Sequence, residues 1–140
     1  MAATIVGKYR RVSTENYEEF LKELGVNWIM RKAANLTVPI LEVTENNGLW
    51  KICTGSGDPP SCSVELEFVL GDEFQETTAD GREVTSIINL TGTTMIQTQM
   101  SNSGGRNSTV IREFLGDTVT VTLGVDGWPR SCVQVFERIQ

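Results

Sequence analysis

From residue 39 onward the chain is a succession of strand-length segments, each ended by turn chemistry, and that rhythm restricts its fold more than any other feature. The segments are PILEVTE, LWKICTG, SVELEFVL, EFQETT, EVTSIINL, TMIQTQM, STVIREF, TVTVTL and CVQVFERI, rich in β-branched and aromatic residues. Between them stand NNG, GSGDPP, LGD, ADGR, TGT, SNSGGRN, LGD and GVDGWPR, whose Gly, Asn, Asp and Pro supply the dihedrals of tight turns. With residues 6–13 as a first strand, this makes about ten strands in up-and-down order. Consecutive hairpins leave two bare sheet edges unless the sheet closes on itself, so the pattern predicts an all-β, antiparallel barrel. About eight strands already enclose room for one small ligand, and ten enclose more. Polar residues on both faces of TVTVTL and MIQTQM suit a partly solvated interior.

One region has helical periodicity instead. Within TENYEEFLKELGVNWIMRKAANLTVP, Asn16 is placed as an N-cap with Glu19 three residues on, and Tyr17, Phe20, Leu21 and Leu24 form an apolar stripe ahead of Gly25. That spacing predicts a helix of about two turns with a glycine stop. Asn27 offers a second cap, after which Trp28, Ile29, Ala33 and Leu36 share one side, Arg31 and Lys32 lie on another, and Pro39 ends the stretch. The pair predicts a short helix-turn-helix, a lid for the container.

At 140 residues, 39% hydrophobic and 21% charged, the chain reads as one soluble globular domain over residues 1–140, with nothing that demands more than a monomer. No apolar run spans a bilayer, and MAATIVGKYRRV lacks the basic segment and apolar core of a secretory signal, so a cytoplasmic location is expected. A net charge of −6 without any long basic run argues against nucleic acid. The absence of histidine removes the commonest general base and metal ligand, and no nucleophile constellation replaces it. Neither catalysis, nor a metal, nor a cofactor is expected. Cys53, Cys62 and Cys132 match no metal or redox spacing, leave at least one thiol unpaired, and are read as free thiols. The sequons at Asn35, Asn89 and Asn107 matter only in a secreted chain.

Arg112 stands out within STVIREF. Period-two alternation puts it on the side of Val110 and Phe114, with Thr109, Ile111 and Glu113 opposite. If the two apolar side chains face the interior, so does the charge. A guanidinium in an apolar interior loses several kcal/mol of hydration unless something anionic or strongly accepting pairs with it. The bland alternative is a strand-surface arginine paired with Glu113.

Five blocks in order carry a family likeness: GKYRRVSTENYEEFLKELGV at 7–26, then Arg31, Ala34 and Pro39, then FVLGDEFQETTADGR at 68–82, STVIRE at 108–113 and CVQVFER at 132–138. Together they resemble the intracellular lipid-binding proteins, the fatty-acid-binding and cellular retinoid-binding family. The resemblance implies a ten-stranded antiparallel up-and-down barrel, the β-clam, capped by a helix-turn-helix. It also implies a non-enzymatic carrier of one long-chain fatty acid. Arg112 then holds the carboxylate with Gln134, and Phe136 lies beside it. Tyr17, Leu21, Met30, Ala34, Pro39 and Thr54 line the tail or the portal, as do Ala79, Asp80, Val119 and Val121. Asp80 has a second reading as a structural group orienting Arg82. Lys22, Arg31 and Lys32 on the lid offer transient contact with an anionic membrane.

The chain departs from the family pattern in places. In the last strand, Gln134 and Phe136 stand where many members carry Arg-x-Tyr, and Gln-x-Phe is similar to the retinol-binding branch. A retinoid carrier is therefore the alternative within the family. A barrel that binds no lipid and serves protein interaction is the alternative outside it. Arg11 replaces an aliphatic residue, and surface pairing is expected of it. The loops at 55–61 and 101–107 are long, and the first carries no phenylalanine to gate an entry portal.

Overall fold

A computed structural model describes residues 2–35, 38–56, 61–78 and 80–139. Alternation in the sequence becomes alternation of burial. On β8 (Ser108–Leu115), Ser108, Val110, Arg112 and Phe114 are buried while the residues between them face outward. The same rule holds on β6 (Glu83–Thr91), β7 (Thr94–Ser101), β9 (Thr118–Val125) and β10 (Cys132–Arg138). The remaining strands are β1 (Gly7–Glu15), β2 (Ile40–Asn46), β3 (Leu49–Ser56), β4 (Ser61–Val69) and β5 (Phe74–Thr77).

Ten antiparallel strands form one sheet in the order β4-β3-β2-β1-β10-β9-β8-β7-β6-β5, curled into a nearly closed barrel. Among the described residues no ladder joins β4 to β5. At that seam, Phe68 and Phe74 stack with ring centroids 5.7 Å apart and planes 19° from parallel. The hairpin turn between β2 and β3 takes positive φ at both Asn47 and Gly48, which gives the backbone a twist that matches its strands.

Among the described residues, three helices complete the fold. α2 (Tyr17–Glu23) and α3 (Trp28–Asn35) form the expected lid; α1 (Ala2–Ile5), which the sequence reading misses, plugs the far end. There the Tyr9 hydroxyl donates to the Ile5 carbonyl at 2.7 Å and accepts from Arg138 Nη2 at 2.8 Å. Trp50, Phe68, Met95, Phe114 and Val119 fill the same closed end, each contributing roughly 1.5–3 kcal/mol of burial. Phe20 and Leu21 seal the lid against Val125 and Cys132.

Several local expectations change. Asn16 sits at the start of α2 but makes no side-chain cap; its φ of 64° turns the amide away, so that it donates to the Ser131 carbonyl and accepts from Arg130. Asn27 does cap α3, accepting from the Met30 amide at 3.0 Å. Gly25, at φ 86°, ends α2 as expected. The apolar side expected of the second helix is not packed inward, since Trp28 is 62% and Ile29 66% exposed; Ala33 and Leu36 lie outside the described side chains. Cys53 and Cys62 are not free thiols. They form a disulfide between β3 and β4, with Cα atoms 5.6 Å apart. The register shift between Thr54 and Gly55 brings the two together across the hairpin, a pairing that linear spacing does not reveal. Cys132 remains free and is buried.

Candidate ligand cavity

Between the plugged end and the lid lies a cavity of about 390 Å³, within the range of roughly 300–1,000 Å³ typical of small-molecule sites. Its two sides differ chemically. One wall is apolar, built by Leu41, Ile52 and Leu66 from β2, β3 and β4 and by Val121 and Phe136 from β9 and β10. The other, from β5 to β8, presents Glu76, Gln99 and Arg112. Tyr17, Leu21 and Met30 close it from the lid.

Arg112 faces inward, 9% exposed. Its Nη1 donates to Gln97 Oε1 at 2.8 Å, and Gln97 Nε2 donates in turn to Glu76 Oε1 at 2.8 Å. The amide thus relays between a buried cation and a carboxylate. Burial pushes the Arg112 pKa down to about 10, against the upward pull of Glu76, so the guanidinium stays charged at neutral pH. Glu76 also accepts from Ser86 Oγ at 2.6 Å and from Gln99 Nε2 at 3.3 Å. Ser108 donates to Gln99 Oε1 and accepts from Arg82 Nη1, and Arg82 Nε meets Asp80 Oδ2 at 2.7 Å. One connected network runs along the polar wall, satisfying groups whose burial alone would be costly.

The expected residues divide clearly. Gln134 lines the cavity and donates to Thr14 Oγ1 at 3.3 Å. It shares a register row with Arg112, Val121 lying between them, so their backbones are two interstrand steps or about 10 Å apart. Phe136, Tyr17, Leu21, Met30 and Val121 are on the wall, as are Pro39 and Thr54. Asp80 and Arg82 line it while binding each other, with Thr78 Oγ1 donating to Asp80 at 2.8 Å. Val119 is below the cavity, fully buried between Phe114 and Phe136. The Ala34 side chain and Ala79 lie outside the described residues. On the lid, Arg31 is not held out toward a surface: it donates to the Val26 carbonyl and stands 3.8 Å from Glu18.

Sequence reasoning misses Glu76 and misplaces Arg11. Alternation in EFQETT puts Glu76 beside inward-facing Phe74, the same argument that singles out Arg112. Arg11, expected at the surface, lines the cavity with its guanidinium 5.8 Å above the Tyr17 ring. Among the described residues, no group of three or more His, Cys, Asp or Glu is placed to hold a metal.

A lidded antiparallel barrel enclosing a cavity with one apolar and one hydrogen-bonding wall is the class that fold and site define. Residues 6–128 match the sequence profile of the Lipocalin / cytosolic fatty-acid binding protein family, and the chain belongs to that family. It is 32% identical over 139 residues to "Sodium/calcium exchanger regulatory protein 1" of Doryteuthis pealeii, covering 99% of both chains. It is 37% identical over 126 residues to a fatty acid-binding protein of Lepidoglyphus destructor, covering 89% of this chain and 92% of the other. A Schistosoma mansoni fatty acid binding protein solved with arachidonic acid superposes with a TM-score of 0.87 at 25% identity, over 99% of this chain and 98% of that one.

Proposed function

We propose that the protein is a non-enzymatic intracellular carrier that holds one long-chain fatty acid in the barrel, its carboxylate at Arg112 with Gln134 nearby and its tail against the apolar wall. The observation that carries this reading is a buried, charged arginine opening onto a cavity with an apolar wall. The tail dominates affinity, because about 0.8 kcal/mol per buried methylene gives some 12 kcal/mol gross for roughly fifteen of them before ordering costs. The carboxylate adds about 1.5–3 kcal/mol net and selects the headgroup. Relatives named as fatty-acid-binding proteins support the ligand class.

A second reading, a retinoid or other neutral lipid, is favoured by one observation. Gln97 and Glu76 already attend Arg112, so its charge has a partner without any ligand anion. Displacement of a fluorescent fatty acid from delipidated protein separates the readings, with a long-chain acid, its alcohol and all-trans retinol as competitors. The carrier reading expects the acid to win and its advantage to fall in Arg112→Ala. Equal competition by alcohol or retinol, untouched by the mutation, selects the neutral ligand. Failure of every lipid to bind leaves a barrel for protein interaction.

A further inference from the structure

Cys53 and Cys62 join two strands beside the cavity at the place where their backbone ladder is interrupted. β3 runs from Trp50 at the closed end to Ser56 at the lid end, and β4 returns alongside it as the last strand of the sheet, with no ladder on its far side among the described residues. The pairing slips between Thr54 and Gly55. Thr54 faces Val64 and Gly55 faces Cys62, so Ser63 is the extra residue of a bulge. Among the described residues two register pairs lie beyond it, Gly55 with Cys62 and Ser56 with Ser61. The disulfide spans the irregularity, tying Cys53 on one side of it to Cys62 on the other.

The same short stretch is cavity wall. Thr54, Gly55 and Ser56 from β3 and Ser63 and Val64 from β4 line it. A strand end that is paired on one side only and broken by a bulge opens locally at lower free energy than a central strand. The bond closes a loop between residues nine apart in sequence and removes the conformations in which that end peels away. It therefore governs how readily this side of the cavity opens.

The bond is also within reach of solvent. Cys53 alternates outward with Lys51, and Cys62 is exposed. In register Cys53 stands between Glu42 of β2 and Glu65 of β4. Cross-strand neighbours share a face, so two carboxylates flank this sulfur and oppose the approach of an anionic monothiol. A dithiol needs one approach alone. Its thiolate attacks Cys62 Sγ, the S–S bond breaks as a mixed disulfide forms, and Cys53 leaves as a thiolate that takes up a proton. The second thiolate of the reductant then displaces Cys62, which is protonated in turn, giving two protein thiols and one oxidised dithiol.

We propose that the Cys53–Cys62 pair is a reversible redox clamp on ligand exchange. Closed, it holds the β3–β4 end against the cavity and retains the lipid; opened by a dithiol, it lets that end peel back and the lipid pass. The proposal rests on the carrier reading above and adds the regulation of the same cavity. Entry and release both quicken on reduction, so affinity changes less than either rate.

The test measures, by stopped flow, transfer of an anthroyloxy fatty acid from the protein to excess phosphatidylcholine vesicles. Oxidised wild type, wild type reduced with dithiothreitol, and Cys62→Ser with and without dithiothreitol are compared, each checked for native near-UV circular dichroism and for its count of free thiols. The expected result is that reduction speeds release by about tenfold and shifts Kd by less than about threefold. Removing the dithiothreitol and reoxidising with cystamine restores slow release. Cys62→Ser releases as fast as reduced wild type and ignores dithiothreitol. Amide exchange rises on reduction in residues 54–56 and 62–64 and stays unchanged in β8 and β9. Release rates within about twofold in the two redox states overturn the proposal and leave the carrier reading standing. So does a response to dithiothreitol that persists in Cys62→Ser, or a bond that dithiothreitol does not open in the folded protein. If the labelled acid binds neither redox state, the carrier reading fails and the clamp with it.

Discussion

Arg112 costs the empty barrel stability and, in the carrier reading proposed above, gives the loaded one its selectivity. Burial holds its pKa in the fold at about 10, below the ordinary value of an arginine. Below pH 10 the fold holds a charge that the unfolded chain hydrates better. Above about pH 10 the folded chain releases a proton that the unfolded chain still keeps, so this residue's penalty shrinks as pH rises. Relative to Arg112→Gln, wild type should therefore gain about 1 kcal/mol between about pH 9 and 11 in urea midpoints of delipidated protein; a flat difference contradicts the assignment. For ligand, Arg112→Ala should lower acid affinity by roughly 10- to 100-fold and barely change that of the alcohol. Cys132 titrates in the opposite sense, burial pushing its thiol up to about 11. It should resist alkylation at about pH 8 in the native chain. In denaturant without reductant one thiol should react, and after reduction all three. Such a count on protein drawn directly from cells also reports its compartment, since a reducing cytosol would keep Cys53 and Cys62 open.

The lid depends on bonds from outside itself. Arg106, in the long loop before β8, donates to the Glu23 carboxylate at 2.6 Å and to the Asp126 carbonyl at 2.8 Å, and Arg130 reaches Asn16 at the opposite end of α2. Exposed pairs of this kind are worth about 0.2–1 kcal/mol. Arg106→Ala should accordingly leave the global midpoint nearly unchanged while speeding amide exchange in α2 and ligand release, measured by hydrogen exchange and stopped-flow displacement. Unchanged exchange would remove the latch from the account. These contacts mark where sequence reading reaches its limit. Strand and helix positions follow from alternation, turn residues and periodicity, all local signals. Capping rules put Asn16 at the right position with the wrong partner, because its partners lie more than a hundred residues away. Periodicity alone gives Trp28 and Ile29 an inward face, but a short lid over an open rim has no core beneath that side. The Cys53–Cys62 bond needs the β3–β4 register, whereas Arg11 is within reach of alternation alone, two residues after inward-facing Tyr9 on β1.

Across the molecule the network from Asp80 through Glu76 to Arg112 ties four consecutive strands on one wall, while the facing wall relies on apolar packing. Glu76→Gln should keep the barrel folded, leave Arg112 without its acid and shift selectivity further toward carboxylates, by about three- to tenfold in acid-over-alcohol preference. A fall in that preference would show that Glu76 assists the ligand acid instead of competing with it. The seam between β4 and β5 has another consequence. The turn there carries the chain past a place where no ladder crosses among the described residues, while the first and last strands are paired neighbours and the Ile139 amide donates to the Lys8 carbonyl at 2.8 Å. A circular permutant opened between Asp72 and Glu73, with a flexible linker joining the old ends, would sever no strand pairing. The order in which the chain is written is thus separable from the object it builds, and the permuted protein should still close around its lipid.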